Sequence, residues 1–326
     1  MMKGSPMTDS DVQPRKRPII IVGMERSGTS IVANLVHRWG AYGGNPDQLS
    51  EGNEGNLHGY WEHELLSEFT RLLSRADGIP DFWGHHFGDL WHPDFVERIT
   101  AKAADPQWRD LAAGLISMMG DQGRIWFFKE PYTSLFLPFW KKIWGSATYV
   151  ITVRNPYDSA VSWHKFTIPE DARSRINTVA ANLLRWQVMM LSVLENTQDS
   201  DSTIFVPYED LVSKPREQCR RLCDFLSDEY SLERFDDDQL EYVAGAVDQM
   251  SWRNRSSAPF ADVSIATEAQ KSLYDFLLQK VANPNLPFDA AQYPIYPGWR
   301  EYLANVDTLK VLYERFLLSQ ERDGAQ

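Results

Sequence analysis

The 326-residue sequence predicts an α/β fold, a central parallel β-sheet flanked by helices in three layers. Three observations carry that prediction. An apolar run, "IIIVG" (19–23), breaks at a glycine turn and passes into "TSIVANLVHRW" (29–39), which has helical period. A second apolar run, "TYVITV" (148–153), repeats the strand-to-helix step at "RNPYDSAVSWHKF" (154–166). Short buried-type strands then go on alternating with amphipathic segments, as expected of a sheet covered on both faces.

The other elements follow in chain order. Residues 1–17 carry basic side chains with no apolar run behind them. They read as a disordered tail rather than a secretory signal, and residues 18–326 as a single domain. After the first helix comes "GGNPDQLSEGNEGNLHGY" (43–60), a loop long enough to suggest function rather than mere connection. "WEHELLSEFTRLLSR" (61–75) is amphipathic, with Leu65, Leu66, Phe69, Leu72 and Leu73 on one stripe. The Trp-, His- and Gly-rich stretch 76–105 matches no element. Helices are expected near 107–119 and 134–144, on either side of the strand "IWFFK" (125–129). A long helix over 174–196 is followed by a strand and turn in "TIFVPYEDL" (203–211). "KPREQCRRLCDFL" (214–226) is another helix, with Pro215 near its start, where a missing N–H costs little. Past residue 230 the chain reads as helical and loop-like, ending in "TLKVLYERFLLSQ" (308–320).

Composition narrows the function. Lys and Arg total 33 against 45 Asp and Glu, a net charge of −12, which argues against a general nucleic-acid binder. An anionic ligand must therefore be met by a few aimed cations in a pocket. No stretch approaches the roughly 18 consecutive apolar residues of a spanning helix, and the expected compartment is the cytoplasm. Cys219 and Cys223, the only two cysteines, sit four apart in a helical pattern. They fit neither a disulfide framework nor a zinc site, and read as buried thiols on one helix face.

The first loop, "GMERSGTS", is built like an anion site: strand, glycine turn, helix start, with backbone N–H groups converging where the helix dipole favours negative charge. Gly23 and Gly28 keep the spacing of a Walker loop, but the lysine before the hydroxyl residues is missing. That loss argues against ATP or GTP as substrate. Arg26 offers a planar donor fork instead, and Ser27, Thr29 and Ser30 add hydroxyls. The plainer alternative is a tight turn bearing a surface arginine. In the second loop Arg154 leaves a strand, Pro156 opens a helix and Ser162 follows eight residues after Arg154. Arginine and serine can flank one anion only if the chain turns between them; otherwise this is a junction capped by Asn155.

Together the two loops resemble the nucleotide-binding elements of sulfotransferases that use 3′-phosphoadenosine 5′-phosphosulfate (PAPS). "GMERSGTS" is similar to that family's 5′-phosphosulfate loop, in the form with arginine in place of lysine. "RNPYDSAVS" is similar to its 3′-phosphate element, which implies that Arg154 and Ser162 bind the 3′-phosphate. "VPYEDLVSKPREQCRRLCDFL" also resembles the family's tyrosine–glutamate–aspartate–leucine strand and following helix. The resemblance runs from about residue 18 to 228 and implies a P-loop NTPase-like fold. "NLHGYWEHELLSEF" resembles a bacterial segment in which glycine and aromatics precede a glutamate, and "FFKEPY" a strand end whose lysine touches the transferring sulfate. The late glycine-rich motif of the cytosolic animal enzymes has no clear counterpart. "MSWRNRSS" (250–257) and "YPGWREYL" (296–303) are the candidates, with Arg253 or Arg255 supplying the cations.

Sulfuryl transfer is an in-line displacement that needs a positioned acceptor, a base and stabilisation of charge on oxygen. The resemblance implies PAPS as donor, no metal, and a hydroxyl acceptor: carbohydrate, lipid or small metabolite, with a lean to carbohydrate from the tryptophans at 82–92 and "GYW". Arg26 and Lys129 are expected to stabilise charge. Glu62, at the start of a helix, is expected to be the base, with His63 and Glu130 behind it and His85 and His86 third. Their ordinary readings are a solvated strand-end lysine, a helix-start acid and surface histidines. Two other functions remain open at this stage: a P-loop kinase or hydrolase, and a non-catalytic nucleotide-binding protein of the same fold.

Overall fold

The computed structural model describes residues 17–52, 59–76, 93–120, 123–167, 178–247, 259–299, 301–303, 305–306, 308–309 and 312. Four parallel strands form its sheet: β1 (Ile19–Val22), β2 (Phe127–Lys129), β3 (Thr148–Val153) and β4 (Thr203–Pro207), in the order β2–β1–β3–β4. Every residue of the four strands is buried, which is why they read as unbroken apolar runs rather than alternating ones. Register sets the site. Ile21 pairs with Lys129 on one side and Val150 on the other, so all four strand ends open at the same edge.

The faces of β1 divide the core. Ile20 and Val22 enter a large cluster with α2 (Glu64–Arg75), α3 (Pro93–Lys102), α4 (Pro106–Gly120), α5 (Thr133–Trp144), α7 (Thr178–Thr197) and α11 (Glu268–Ala282). Ile19 and Ile21 face a smaller one with α1 (Thr29–Trp39), α8 (Tyr208–Ser213), α9 (Pro215–Tyr230) and α10 (Asp237–Ala244). The result is the three-layer α/β arrangement expected from the sequence, with α6 (Pro156–Thr167) following β3.

Several expectations need correction. The helix expected over 61–75 begins at Glu64, and its buried stripe is Leu66, Phe69, Thr70 and Leu73. Leu65 and Leu72 lie one position off that stripe and are 50% and 41% exposed. Thr70 and Ser74 enter the interior because their hydroxyls donate to the carbonyls of Leu66 and Thr70. Within 76–105, where no element was expected, α3 runs from Pro93 to Lys102. The turn expected after β4 is the short helix α8, starting directly at Tyr208. Residues 174–177 and most of 308–320 lie outside the described residues, and the tail is described only from Arg17.

Between β1 and α1 the backbone is forced into left-handed conformations at Gly23 (φ 147°), Arg26 (φ 64°) and Gly28 (φ 97°). Gly28 is the residue before α1, and no side chain caps the helix there. A Cβ on Gly28 would meet Tyr208 Cδ2 at 2.4 Å, so the phosphate-type loop lies directly against the first residue of α8. Gly28→Ala therefore combines a left-handed strain with a clash, together about 1–3 kcal/mol. Its unfolding midpoint should fall by several degrees; a midpoint equal to wild type would contradict this packing.

Candidate functional site

The two loops singled out in the sequence meet. Arg154 leaves β3 and its Nη1 donates to the main-chain carbonyl of Arg26 at 2.6 Å. Arg26 Nε in turn donates to Ser162 Oγ at 3.1 Å, and its guanidinium lies 5.3 Å from the centre of the Phe166 ring. The chain turns at the start of α6. Asn155 Oδ1 accepts from the N–H groups of Tyr157 (3.0 Å) and Asp158 (3.4 Å), while Asn155 N–H donates to Glu209 (2.9 Å). Asn155 thus caps the start of α6, and Arg26 links Arg154 to Ser162.

Tyr208 belongs to this site and was not among the residues picked from sequence. Its ring packs on Gly28 and lies 4.4 Å below the Arg154 guanidinium. Burial pushes its phenol pKa up, and the nearby Arg154 charge opposes that shift. The available signal was its position, first after β4 in "VPYEDL", at the same sheet edge as the two loops. Ser27 is turned inward: its hydroxyl donates to Met24 O and shares a 2.6 Å hydrogen bond with Thr152 Oγ1. It shapes the loop from within. Thr29 is buried at the start of α1, and Ser30 Oγ donates to Tyr60 O at 3.4 Å.

At the end of β2, Lys129 Nζ donates to Glu62 Oε1 at 2.6 Å and to Tyr60 O at 3.0 Å. The two side chains are 2% and 6% exposed, so this is a buried pair. Glu62 lies before the first residue of α2, at Glu64; the lysine rather than the helix dipole holds it. Removing one member of such a pair strands a buried charge, which costs far more than the intact pair contributes.

Further carboxyls surround the pair. Glu130 is fully buried, accepts from Tyr132 N–H and from the Thr133 hydroxyl, and so braces the start of α5. Burial first, then the charge on Glu62, pushes its pKa up to about 8. Glu25, inside the glycine loop, is likewise raised by burial, with Arg185 and Lys129 opposing and Glu62 adding to the rise. His63 is buried against Gly44, and burial lowers its pKa. His85, His86, Arg253 and Arg255 lie outside the described residues. From "YPGWREYL", Trp299 and Leu303 are buried in the larger core. Cys219 and Cys223 are buried on α9, their thiols pushed up to about 12 by burial.

Residues 18–232 match the family model described as "Sulfotransferase family", well over half the chain. The chain belongs to the sulfotransferase family. The matched region contains both loops, Glu62, Lys129 and Tyr208. Over 200 residues the chain is 24% identical to "Putative protein-tyrosine sulfotransferase" from Caenorhabditis briggsae, covering 60% of this chain and 69% of that one. Similar solved structures include the sulfotransferase domain of the Synechococcus PCC 7002 olefin synthase, with a TM-score of 0.45 and 20% identity. That likeness covers 87% of this chain and 100% of that domain. Sulfotransferase STF1 from Mycobacterium tuberculosis H37Rv gives a TM-score of 0.45 and 18% identity, covering 80% and 77%. The family assignment rests on the sequence match.

The raised pKa of Glu130 has a consequence for stability. The folded state keeps a proton there that the unfolded chain releases near pH 4.5, so stability falls as pH rises from about 4.5 to about 8. Glu130→Gln removes that proton linkage, and its unfolding midpoint should decline less steeply than wild type across this window. Parallel declines would show that Glu130 is ionised in the folded protein.

Proposed function

We propose that this protein moves a sulfuryl group from PAPS to a hydroxyl acceptor, with Glu62 as base and Lys129 and Arg26 stabilising charge. The observation that carries the reading is the meeting of Arg26, Arg154 and Ser162 over the uncapped start of α1. A nucleotide with phosphates at both the 5′ and 3′ positions needs two anion subsites a short distance apart, and the two loops supply them.

The donor set fits such a ligand. The backbone turn of the Gly23–Gly28 loop and the N-terminus of α1 favour a 5′-phosphosulfate, with Thr29 and Ser30 beside it. Arg154 and Ser162 face the 3′-phosphate. Gly28, with no room for a Cβ beside Tyr208, keeps the loop closed upon α8. Arg253 and Arg255 complete the nucleotide site in this reading. PAPS, when bound, supplies an activated sulfuryl group. Glu62 takes the acceptor proton on the carboxylate oxygen that Lys129 leaves open, and the Lys129 ammonium keeps that carboxylate oriented. Lys129 and Arg26 bring positive charge to the oxygens on which negative charge grows. A carbohydrate, lipid headgroup or small metabolite hydroxyl is the acceptor class.

Calorimetric titration tests the nucleotide reading. 3′-Phosphoadenosine 5′-phosphate should bind at least tenfold more tightly than ADP, and Arg154→Ala should cost about 10- to 100-fold, the worth of a charged hydrogen bond. Equal affinities, or an Arg154→Ala variant that binds normally, would end it. Glu62→Gln should keep nucleotide affinity within a few-fold while lowering turnover about 10²- to 10⁴-fold in a labelled-PAPS acceptor screen. Undiminished turnover would move the base to another residue.

A further inference from the structure

Among the described non-glycine residues, Trp61 shares left-handed backbone only with Arg26 and Ser231, and it stands directly before Glu62. A bulky aromatic does not hold φ near 59° unless its surroundings impose it. The surroundings here are specific. Ser50 N–H donates to Glu62 O at 2.9 Å, while Ser50 O accepts from Tyr60 N–H at 3.4 Å. Leu49 and His63 form an isolated antiparallel bridge beside them. Ser50 therefore pairs with Tyr60 and Glu62 at once, and Trp61 is the extra residue between them, in the manner of a β-bulge. Bulges of this kind re-aim the side chain that follows.

The indole is seated against α1 and the smaller core. Its ring centre lies 4.9 Å from that of His37 on α1, tilted by 41°, and it packs against the smaller core. Its Nε1–H is buried with no hydrogen-bond partner among the described residues. Meanwhile Tyr60 O, one residue earlier, accepts from Ser30 of α1 and from Lys129 of β2. The three residues thus link the helix that begins at the glycine loop with the strand that carries the lysine.

We propose that Trp61 is a positioning residue for Glu62. The indole, seated against His37, holds the bulge in its left-handed form and so delivers the Glu62 carboxylate to Lys129. It touches neither reactant in this scheme and acts through Glu62. The inference rests on the reading of Glu62 as the base, and the two are tested separately.

Crystal structures of wild type, Trp61→Gly and Trp61→Phe decide the matter, with unfolding midpoints measured alongside. Glycine adopts the left-handed backbone freely but has no ring to seat; phenylalanine keeps a ring. In Trp61→Gly the Glu62 carboxylate should leave Lys129, beyond the roughly 4 Å of an ion pair, with the sheet and Arg154 unmoved. In Trp61→Phe the pair should be retained. A Trp61→Gly structure with the pair intact would overturn the proposal, whatever its midpoint. If that crystal cannot be grown, turnover decides: Trp61→Gly should lose on the order of 10²-fold, the cost of an ångström-scale misplacement. The same change on a Glu62→Gln background should add little, since both act on one group. Full multiplicative losses would also overturn it. Normal turnover in Glu62→Gln alone would instead remove the base assignment and leave the structural result standing.

Discussion

Two arginines that hold each other's loops organise this molecule. Arg154, leaving β3, binds the backbone of Arg26, and Arg26 reaches back to Ser162 on the helix that Arg154 introduces. Neither contact is local in sequence, being separated by 128 and 136 residues. Each depends on the parallel register that brings the ends of β1 and β3 side by side. The left-handed Arg26 and the close approach of Gly28 to Tyr208 follow from the same requirement: the loop must turn its backbone outward over the sheet edge while staying packed beneath.

That arrangement concentrates cations in a protein whose net charge is −12. Burying cations is unfavourable unless their charge is met. On the β2 side Lys129 is paired directly with Glu62, with Glu130 and Glu25 nearby and both pushed toward their neutral forms. On the β3 side Arg154 donates to the Arg26 carbonyl and lies over the Tyr208 ring, and its charge reaches Glu209. The β2-side cation is held by a carboxylate at 2.6 Å.

The fold was legible where the physics is local. The bounds of α1 and β3 match the segments 29–39 and 148–153 expected from their apolar pattern, and Pro156 and Pro215 open their helices as their missing N–H groups predict. The phosphate-type loop and the Arg154–Ser162 element were legible for the same reason, as strand ends feeding helices. What sequence could not show is what depends on distant partners. Glu62 could be singled out as a candidate base, but not its pairing with Lys129, because that partner lies 67 residues away. Leu65 and Leu72 read as core because period alone does not say where a stripe is centred. Tyr208 was passed over because its role comes from β4 lying beside β3.

A crystal structure with 3′-phosphoadenosine 5′-phosphate bound measures the central claim directly, that the two loops are one nucleotide site. The 3′-phosphate should lie within hydrogen-bonding distance of Arg154 and Ser162, with the 5′-phosphate over the start of α1. Nucleotide density at another edge of the sheet, or a 3′-phosphate directed into solvent away from Arg154, would contradict the account.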